Sequence, residues 1–470
     1  MVNLTLKQYL SDRGFASLED GFYIYISQWK QWYQGNVKRF HAYTAYNGRQ
    51  KINCKRLSLQ MAKKVCEDWA NLLMNEKVAI TVEGQKEQAF LDEILQKNNF
   101  LVKANEAQEW KAAFGTVAYV PYLQNVAVTP EGRVTGNTAD IHINYITADN
   151  IYPLSWENGV IKECAFGSLK RQGNKEYYYV QLHILENGFY TIENILLDAE
   201  SGQIIENINS IKGFETVAPK IQTKSAYPQF VIDRLNIVNN IAVNNPMGIS
   251  VFANSIDVLK AIDVVFDSYN SEFILGRKRI MVEEEALKIE NQQMVFDPNE
   301  IVFYRLPAGI GENNNFVKEI DMSLRAQEHE IALQNKLNLL SAKCGFGENH
   351  YKFDGGSIAT ATQIVSENST LFRTLKKHEI ILEQAIIELV RILFRLGNQY
   401  LNLSLYVDAA VTIDFDDSII EDRQTELNDM RLDVSSQIIK PIYYIMKKYK
   451  VDEQTAKEMM AEQYEVEDDA

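Results

Sequence analysis

The residues whose types and spacing come closest to a catalytic set are the carboxylates of the run DFDDS, 414–418. Acids gathered at a strand end are how nucleases and phosphohydrolases hold Mg²⁺, so Asp414, Asp416 and Asp417 would together make a metal-dependent hydrolase of phosphate esters. The structural alternative is that Asp417 or Ser418 caps the helix that follows while the other acids are solvated. This alternative is preferred, because neither a second acidic cluster nor a histidine pair of metal spacing accompanies the run.

The six histidines, His41, His142, His183, His329, His350 and His378, show no HxxxH or HxH spacing. A metal centre would have to be assembled by the fold alone, and these read as core and surface histidines. Gly-Ile-Gly at 309–311 and Gly-Phe-Gly at 345–347 lack the third glycine of a dinucleotide loop and the Gly-Lys-Ser/Thr ending of a phosphate loop. Ser250 lacks the second glycine of a nucleophile elbow and has no base among its sequence neighbours. No catalytic residue, metal site or cofactor is therefore expected, and the chain reads as a non-enzyme.

Two polar segments remain. The loop GFGENHYKFDGG, 345–356, sets Glu348, Asn349, His350, Tyr351 and Lys352 between glycines that tolerate movement; a plain surface turn is the simpler account. Arg277, Lys278 and Arg279 form the densest basic cluster, at a place where a helix C-terminus would stabilise cations in any case.

Composition narrows the classes. Forty-eight basic against sixty-three acidic residues give a net charge of −15 and a pI near 5.1, which argues against a general phosphate-binding surface. The hydrophobic fraction of 46% supports a large core rather than disorder. Cys54, Cys66, Cys164 and Cys344 lie far apart with no CxxC pair and read as reduced thiols. Lys7 and Asp12 interrupt the stretch where an export signal needs apolar residues. The most apolar helical stretch, 254–275, carries Asp257, Lys260, Asp263, Asp267 and Glu272, so a membrane span is excluded.

These residues must be positioned by a mixed set of elements. From Ser58, a helix is predicted that turns Ala62, Val65, Cys66, Trp69, Leu72 and Leu73 to one face, with Ser58 as its cap. Residues 117–146 and 177–206 alternate with period two, and Asn187-Gly188 predicts a two-residue hairpin turn. Ile256, Leu259, Ile262, Val265, Phe266, Tyr269 and Phe273 predict a helix over 254–276, roughly 35 Å long at 1.5 Å per residue. A compact excursion, 280–318, contains a short strand IVFYRL and is followed by a second helix near 323–341. From Ser357 towards Gly397, Leu371, Leu375, His378, Leu382, Ala385, Leu389, Leu393 and Leu396 form one apolar seam, either a coiled-coil strut or a specialised wall helix. Strand-like LSLYV and VTIDF precede two or three short helices, 418–464, and an acidic tail.

Several of these runs, in this order, carry a family likeness. GISVFANSIDVLKAIDVVFDSYNSEFILGRKRIMV from 248, KFDGGSIATATQIVSENSTLFRTLKKHE from 352 and FDDSIIEDRQTELNDM from 415 resemble the portal proteins of siphophages infecting Gram-positive bacteria. SLQMAKKVCEDWANLLMNE and the ISQWKQWYQG run around Trp29 and Trp32 are similar to the N-terminal part of that family. The resemblance implies an α+β portal fold: an α/β wing over 1–253, stem helices at 254–279 and 319–344, a small α/β clip at 280–318, a tunnel loop at 345–356, a long wall helix with the wing's return at 357–417, and a helical crown at 418–470.

It further implies a ring of about 12 subunits closed by heterologous contacts, with double-stranded DNA passing through its channel during packaging and ejection. Glu348, Asn349, His350, Tyr351 and Lys352 would belong to the channel. Arg277, Lys278 and Arg279 would mark the stem end near the clip. Glu283, Glu284, Glu285, Asp297, Asn299 and Glu300 would lie on the clip, where the terminase large subunit docks and a head–tail adaptor later replaces it. Scaffolding and major capsid proteins are the other implied partners, with the capsid portal vertex, and host cytoplasm during assembly, as the location. Acidic channel walls would repel phosphate within about 8 to 10 Å at physiological salt, letting the duplex slide.

Overall fold

The computed structural model describes residues 2–15, 20–46, 48–124, 127–128, 134–135, 139–275, 279–283, 289–290, 293–294, 303–306, 317–320, 324–352, 361–415, 423–449, 455–457 and 459–460. The helices used below are α1 (Val2–Asp12), α2 (Asp20–Tyr33), α3 (Met61–Leu73), α4 (Gln85–Lys97), α5 (Phe100–Phe114), α6 (Ile256–Leu275), α7 (Ala326–Lys343), α8 (Ala361–Tyr400), α9 (Arg423–Ser435) and α10 (Pro441–Tyr449). The chain divides into two compact units, Met1–Glu76 with Ile80–Ile413, and Lys77–Ala79 with Asp414–Ala470. Helices and sheets both contribute, which is the α+β class expected.

In the larger unit, α3 buries Ala62, Val65, Cys66, Trp69 and Leu73, the face that the apolar spacing predicts. Its start differs from expectation. The helix opens at Met61 behind Gln60, which takes a left-handed φ of 56°, and no side chain caps it. The Ser58 hydroxyl instead accepts from the Gln60 backbone N–H at 3.1 Å and donates to Asp263 on α6 at 3.1 Å.

Period-two alternation becomes two antiparallel sheets. One has five strands, in the order Lys220–Gln222, Phe189–Asp198, Lys175–Glu186, Val160–Gln172 and Ile151–Glu157. Asn187 and Gly188, at φ 52° and 83°, turn the hairpin with Glu186 opposite Phe189, because a two-residue turn of this hand needs two positive φ angles. The face of this sheet that carries Tyr152, Leu154, Ala165, Val180, Leu182 and Leu197 is covered by Leu6 and Leu10 of α1. The second sheet has three strands, with Thr116–Gln124 between Val231–Arg234 and Asp140–Thr147.

α6 and α7 pack together. Between them in sequence lies a small sheet in which Arg279–Glu283 pairs in parallel with Phe303–Leu306 and antiparallel with Val317–Ile320. The expected IVFYRL strand is thus seen over Phe303–Leu306.

α8 runs for 40 residues, and all eight seam residues, from Leu371 through His378 to Leu396, are buried. Its neighbours are the strand Val231–Arg234, α3 and α4. The seam is therefore buried by packing against a strand and two helices of the larger unit. LSLYV forms no strand, and only Val411–Asp414 pairs, with Ala79–Val82.

In the smaller unit, α9 and α10 pack on one another. The turn between them uses Gln437 at φ 59°, and Pro441 opens α10, where its missing N–H costs nothing.

Candidate functional site: the helix pair and the root of the loop that follows

The end of α6 and the start of α7 are clamped. Arg325, the residue before α7, donates from Nε and Nη2 to the two oxygens of Glu272 at 3.0 and 2.8 Å, a bidentate guanidinium–carboxylate pair. His329 adds a third contact: its Nε2 lies 3.4 Å from Glu272, and its ring stacks on Tyr269 at 5.5 Å. The Arg325 hydrogen bond is the main reason that the Glu272 carboxyl is pulled down to about 2.

Lower on α6, Asp263 is buried and accepts from Leu59 N–H at 2.8 Å, Ser58 Oγ at 3.1 Å and His41 Nε2 at 2.9 Å. The other ring nitrogen of His41, Nδ1, accepts from Val37 N–H at 2.7 Å. Nε2 therefore carries the proton, and the imidazole is satisfied while neutral. Asp267 accepts from Leu57 N–H at 2.9 Å. One carboxylate per helical turn thus ties α6 to the segment that leads into α3.

The loop that leaves α7 is rooted on α3 by an aromatic stack. Trp69 Nε1 donates to the Cys344 carbonyl at 3.0 Å. Phe346 stacks on Trp69 with centroids 4.8 Å apart, and His350 stacks on Phe346 at 4.4 Å with the rings nearly parallel. His378 of α8 also meets the Trp69 ring, at 5.0 Å and nearly perpendicular to it. Gly345, at φ 90°, lets the chain leave α7 where a Cβ would fall 2.7 Å from Thr374.

Asp68 completes the root. It accepts from the Tyr351 hydroxyl at 3.1 Å and from Lys64 at 2.6 Å, and it lies 3.7 Å from His350 Nε2. Burial opposes its ionisation, but hydrogen bonding to His350, Lys64 and Tyr351 outweighs burial and holds the carboxyl below its ordinary range.

Within the loop, Glu348, His350 and Lys352 are exposed and Asn349 is half-buried, whereas Tyr351 is only 8% exposed and its hydroxyl is pinned to α3. Burial raises its phenol well above the usual value. Nothing local to Tyr351 announces this, because Asp68 lies 283 residues away.

Of the other expected positions, Arg279 opens a strand opposite Ile320, and Glu283 closes it opposite Leu306. Arg277, Lys278, Glu284, Glu285, Asp297, Asn299 and Glu300 lie outside the described residues. Asp414 ends the strand that pairs with Ala79–Val82, and Asp416 and Asp417 also lie outside. Among the described residues, no group of three or more His, Cys, Asp or Glu is placed to hold a metal ion, and no helix is long and apolar enough to cross a membrane. The Ser250 hydroxyl donates to the Ala112 carbonyl at 3.1 Å, a structural role. All four cysteines are free.

Residues 19–469, nearly the whole chain, match the model of a family of phage head components. The chain belongs to that family, described as phage portal protein, SPP1 Gp6-like. No curated protein matches it. Membership makes the chain a structural, ring-forming component of a phage capsid vertex.

Proposed function

We propose that this chain is the subunit of a ring of about 12 copies whose channel passes double-stranded DNA into the capsid during packaging and out of it at ejection. The observation that carries this reading is the Glu272–Arg325 clamp. It holds two antiparallel helices side by side where the small sheet is inserted, which suits a rigid stem with a docking module at its tip.

In this reading, 254–279 and 319–344 are the stem and 280–318 the clip that receives the terminase large subunit and later the head–tail adaptor. Residues 1–253 with 357–417 form the wing and 418–470 the crown, the surfaces for scaffolding and major capsid proteins. The basic residues Arg277, Lys278 and Arg279 mark the stem end. The acids Glu283, Glu284, Glu285, Asp297 and Glu300, with Asn299, offer the clip's docking surface. Glu348, His350 and Lys352 are the exposed candidates for the bore, with Tyr351 as their anchor. The net charge of −15 per subunit supports a wall that does not grip phosphate.

Negative-stain electron microscopy of the purified full-length protein tests this reading. Wide-bore annuli of about a dozen subunits are expected; a monomer at every concentration and salt tried overturns it.

A further inference from the structure

We propose that an apolar trough beside α8 is a socket for the neighbouring copy of this chain, an inference that rests on the ring reading above. The trough has a volume of about 420 Å³. Ile381, Ala385 and Ile392 of α8 form one wall, with Ile161, Phe230 and Val231 opposite. At its lip, Val160 and Tyr227 are 57% and 58% exposed, apolar area that the lone subunit leaves to water.

Two guanidinium groups rim the trough. Arg234 is partly engaged, donating to the Pro246 carbonyl at 3.1 Å. Arg395 lies 4.0 Å over the Tyr227 ring and, among the described residues, makes no hydrogen bond or ion pair. Glu388 on the same wall is hydrogen-bonded by Arg391 at 2.5 Å and attracts Arg395 only through space, so it leaves the Arg395 donors unfilled. A half-buried guanidinium with unspent donors beside an apolar cleft fits an occupant that brings an apolar side chain and a carboxylate together.

Charge selects the occupant. Two copies each carrying −15 repel at long range, so a ring contact needs local complementarity to close. The next copy, with its sixty-three acidic residues, is both the partner that a ring guarantees and a ready source of carboxylates. A ring is closed by heterologous contacts, so this socket meets a different surface of the neighbour and never another socket. Desolvated aromatic and arginine groups around a pocket are where interface energy concentrates.

The test compares full-length wild type with Arg395→Glu and Ala385→Trp by mass photometry and electron microscopy, with circular dichroism and thermal unfolding as the check on folding. Wild type should close into rings, whereas Arg395→Glu should keep the wild-type spectrum and both variants should need about tenfold more protein, or greater, to close. Rings of Arg395→Glu at the wild-type concentration overturn the socket and leave the ring reading standing. A wild type that never closes overturns both. Because Ala385→Trp alters a packed helix, Gln384→benzoylphenylalanine supplies a second readout: irradiated rings should yield covalent dimers on a denaturing gel, and cross-links confined to single chains sink the proposal.

Discussion

Lys111 on α5 places its ammonium 3.0 and 3.1 Å from the two oxygens of Asp233, and neither side chain has any exposure. Gln108 and Tyr119 donate to the same carboxylate at 3.0 and 3.3 Å, so the buried charges are shared among four side chains. Burial is the largest influence on Lys111 and lowers its pKa against the opposing pull of Asp233.

Removing one partner of such a pair strands the other charge. Asp233→Ala should therefore destabilise the fold by about 3–5 kcal/mol in urea unfolding. The double variant Lys111→Met, Asp233→Leu should recover much of that loss, since a buried ion pair replaced by apolar groups is often near neutral. A single variant that matches wild type would show that Lys111 finds water instead.

Gly115 and Gly248 bring two backbones into contact. A Cβ on Gly248 would lie 2.3 Å from the Gly115 carbonyl oxygen, and backbone yields less readily than the end of a side chain. Gly248→Ala should cost about 1–3 kcal/mol by thermal unfolding, as overpacked sites do; a change below about 0.5 kcal/mol, the usual size of a neutral surface substitution, would mean the loop before α6 shifts freely.

His183 and His378 should make stability depend on acid. Burial pushes each imidazole down to about 3 from an ordinary value of 6.5. Below pH 6.5 the unfolded chain binds protons that the folded chain refuses, so stability falls as pH drops from 6.5 towards 3, by up to about 1.4 kcal/mol per pH unit for each group. Neither His183 nitrogen has a hydrogen-bond partner, and the ring lies nearly perpendicular to Phe166 and Phe230, 5.4 Å from each. His183→Leu should flatten the pH profile and leave stability at pH 7 unchanged or about 1 kcal/mol higher. A steeper profile in that variant would refute the assignment.

The loop root and its exposed side chains should separate by mutation. Phe346→Ala empties the stack between Trp69 and His350 and should cost about 3–5 kcal/mol. Replacing Glu348 and Lys352 together by Ala should leave the unfolding temperature within a few degrees of wild type, while packaging measured in complemented phage falls. Deleting 347–353 removes His350 and the Tyr351 anchor as well, so it is expected to damage the fold itself. Normal packaging by the double variant would remove these two residues from the bore.

The clamp has its own signature. Glu272→Ala should speed hydrogen exchange in the last turn of α6 and the first turn of α7 without altering exchange in the five-stranded sheet. The carboxyl is held at about 2 against an ordinary 4.5, so the clamp's contribution is complete above pH 4.5 and is lost as pH falls through 2. Uniform exchange changes across the larger unit would mean that the pair is not a local clamp.

What was legible in the sequence is what depends on near neighbours. The inward face of α3, the helix at Ile256–Leu275, the Asn187-Gly188 turn and the seam of α8 all follow from residues two to four positions apart, the range over which backbone period and side-chain direction are coupled. Ser58 shows the limit of that reasoning. Its spacing suits a cap, but its partner is Asp263, 205 residues on.

The sequence by itself determined the α+β class, the long helix, the acidic balance and the order of runs that resembles portal proteins. Only the tertiary structure decided that Tyr351 is an anchor, that His41 serves Asp263, that Lys111 and Asp233 neutralise one another, and that Arg395 faces a trough with unspent donors. Each of these joins side chains from separate parts of the chain, or records a partner that none of them supplies. Such pairings are chosen by three-dimensional packing and the penalty on unpaired buried charge, which leave no periodic trace along the chain.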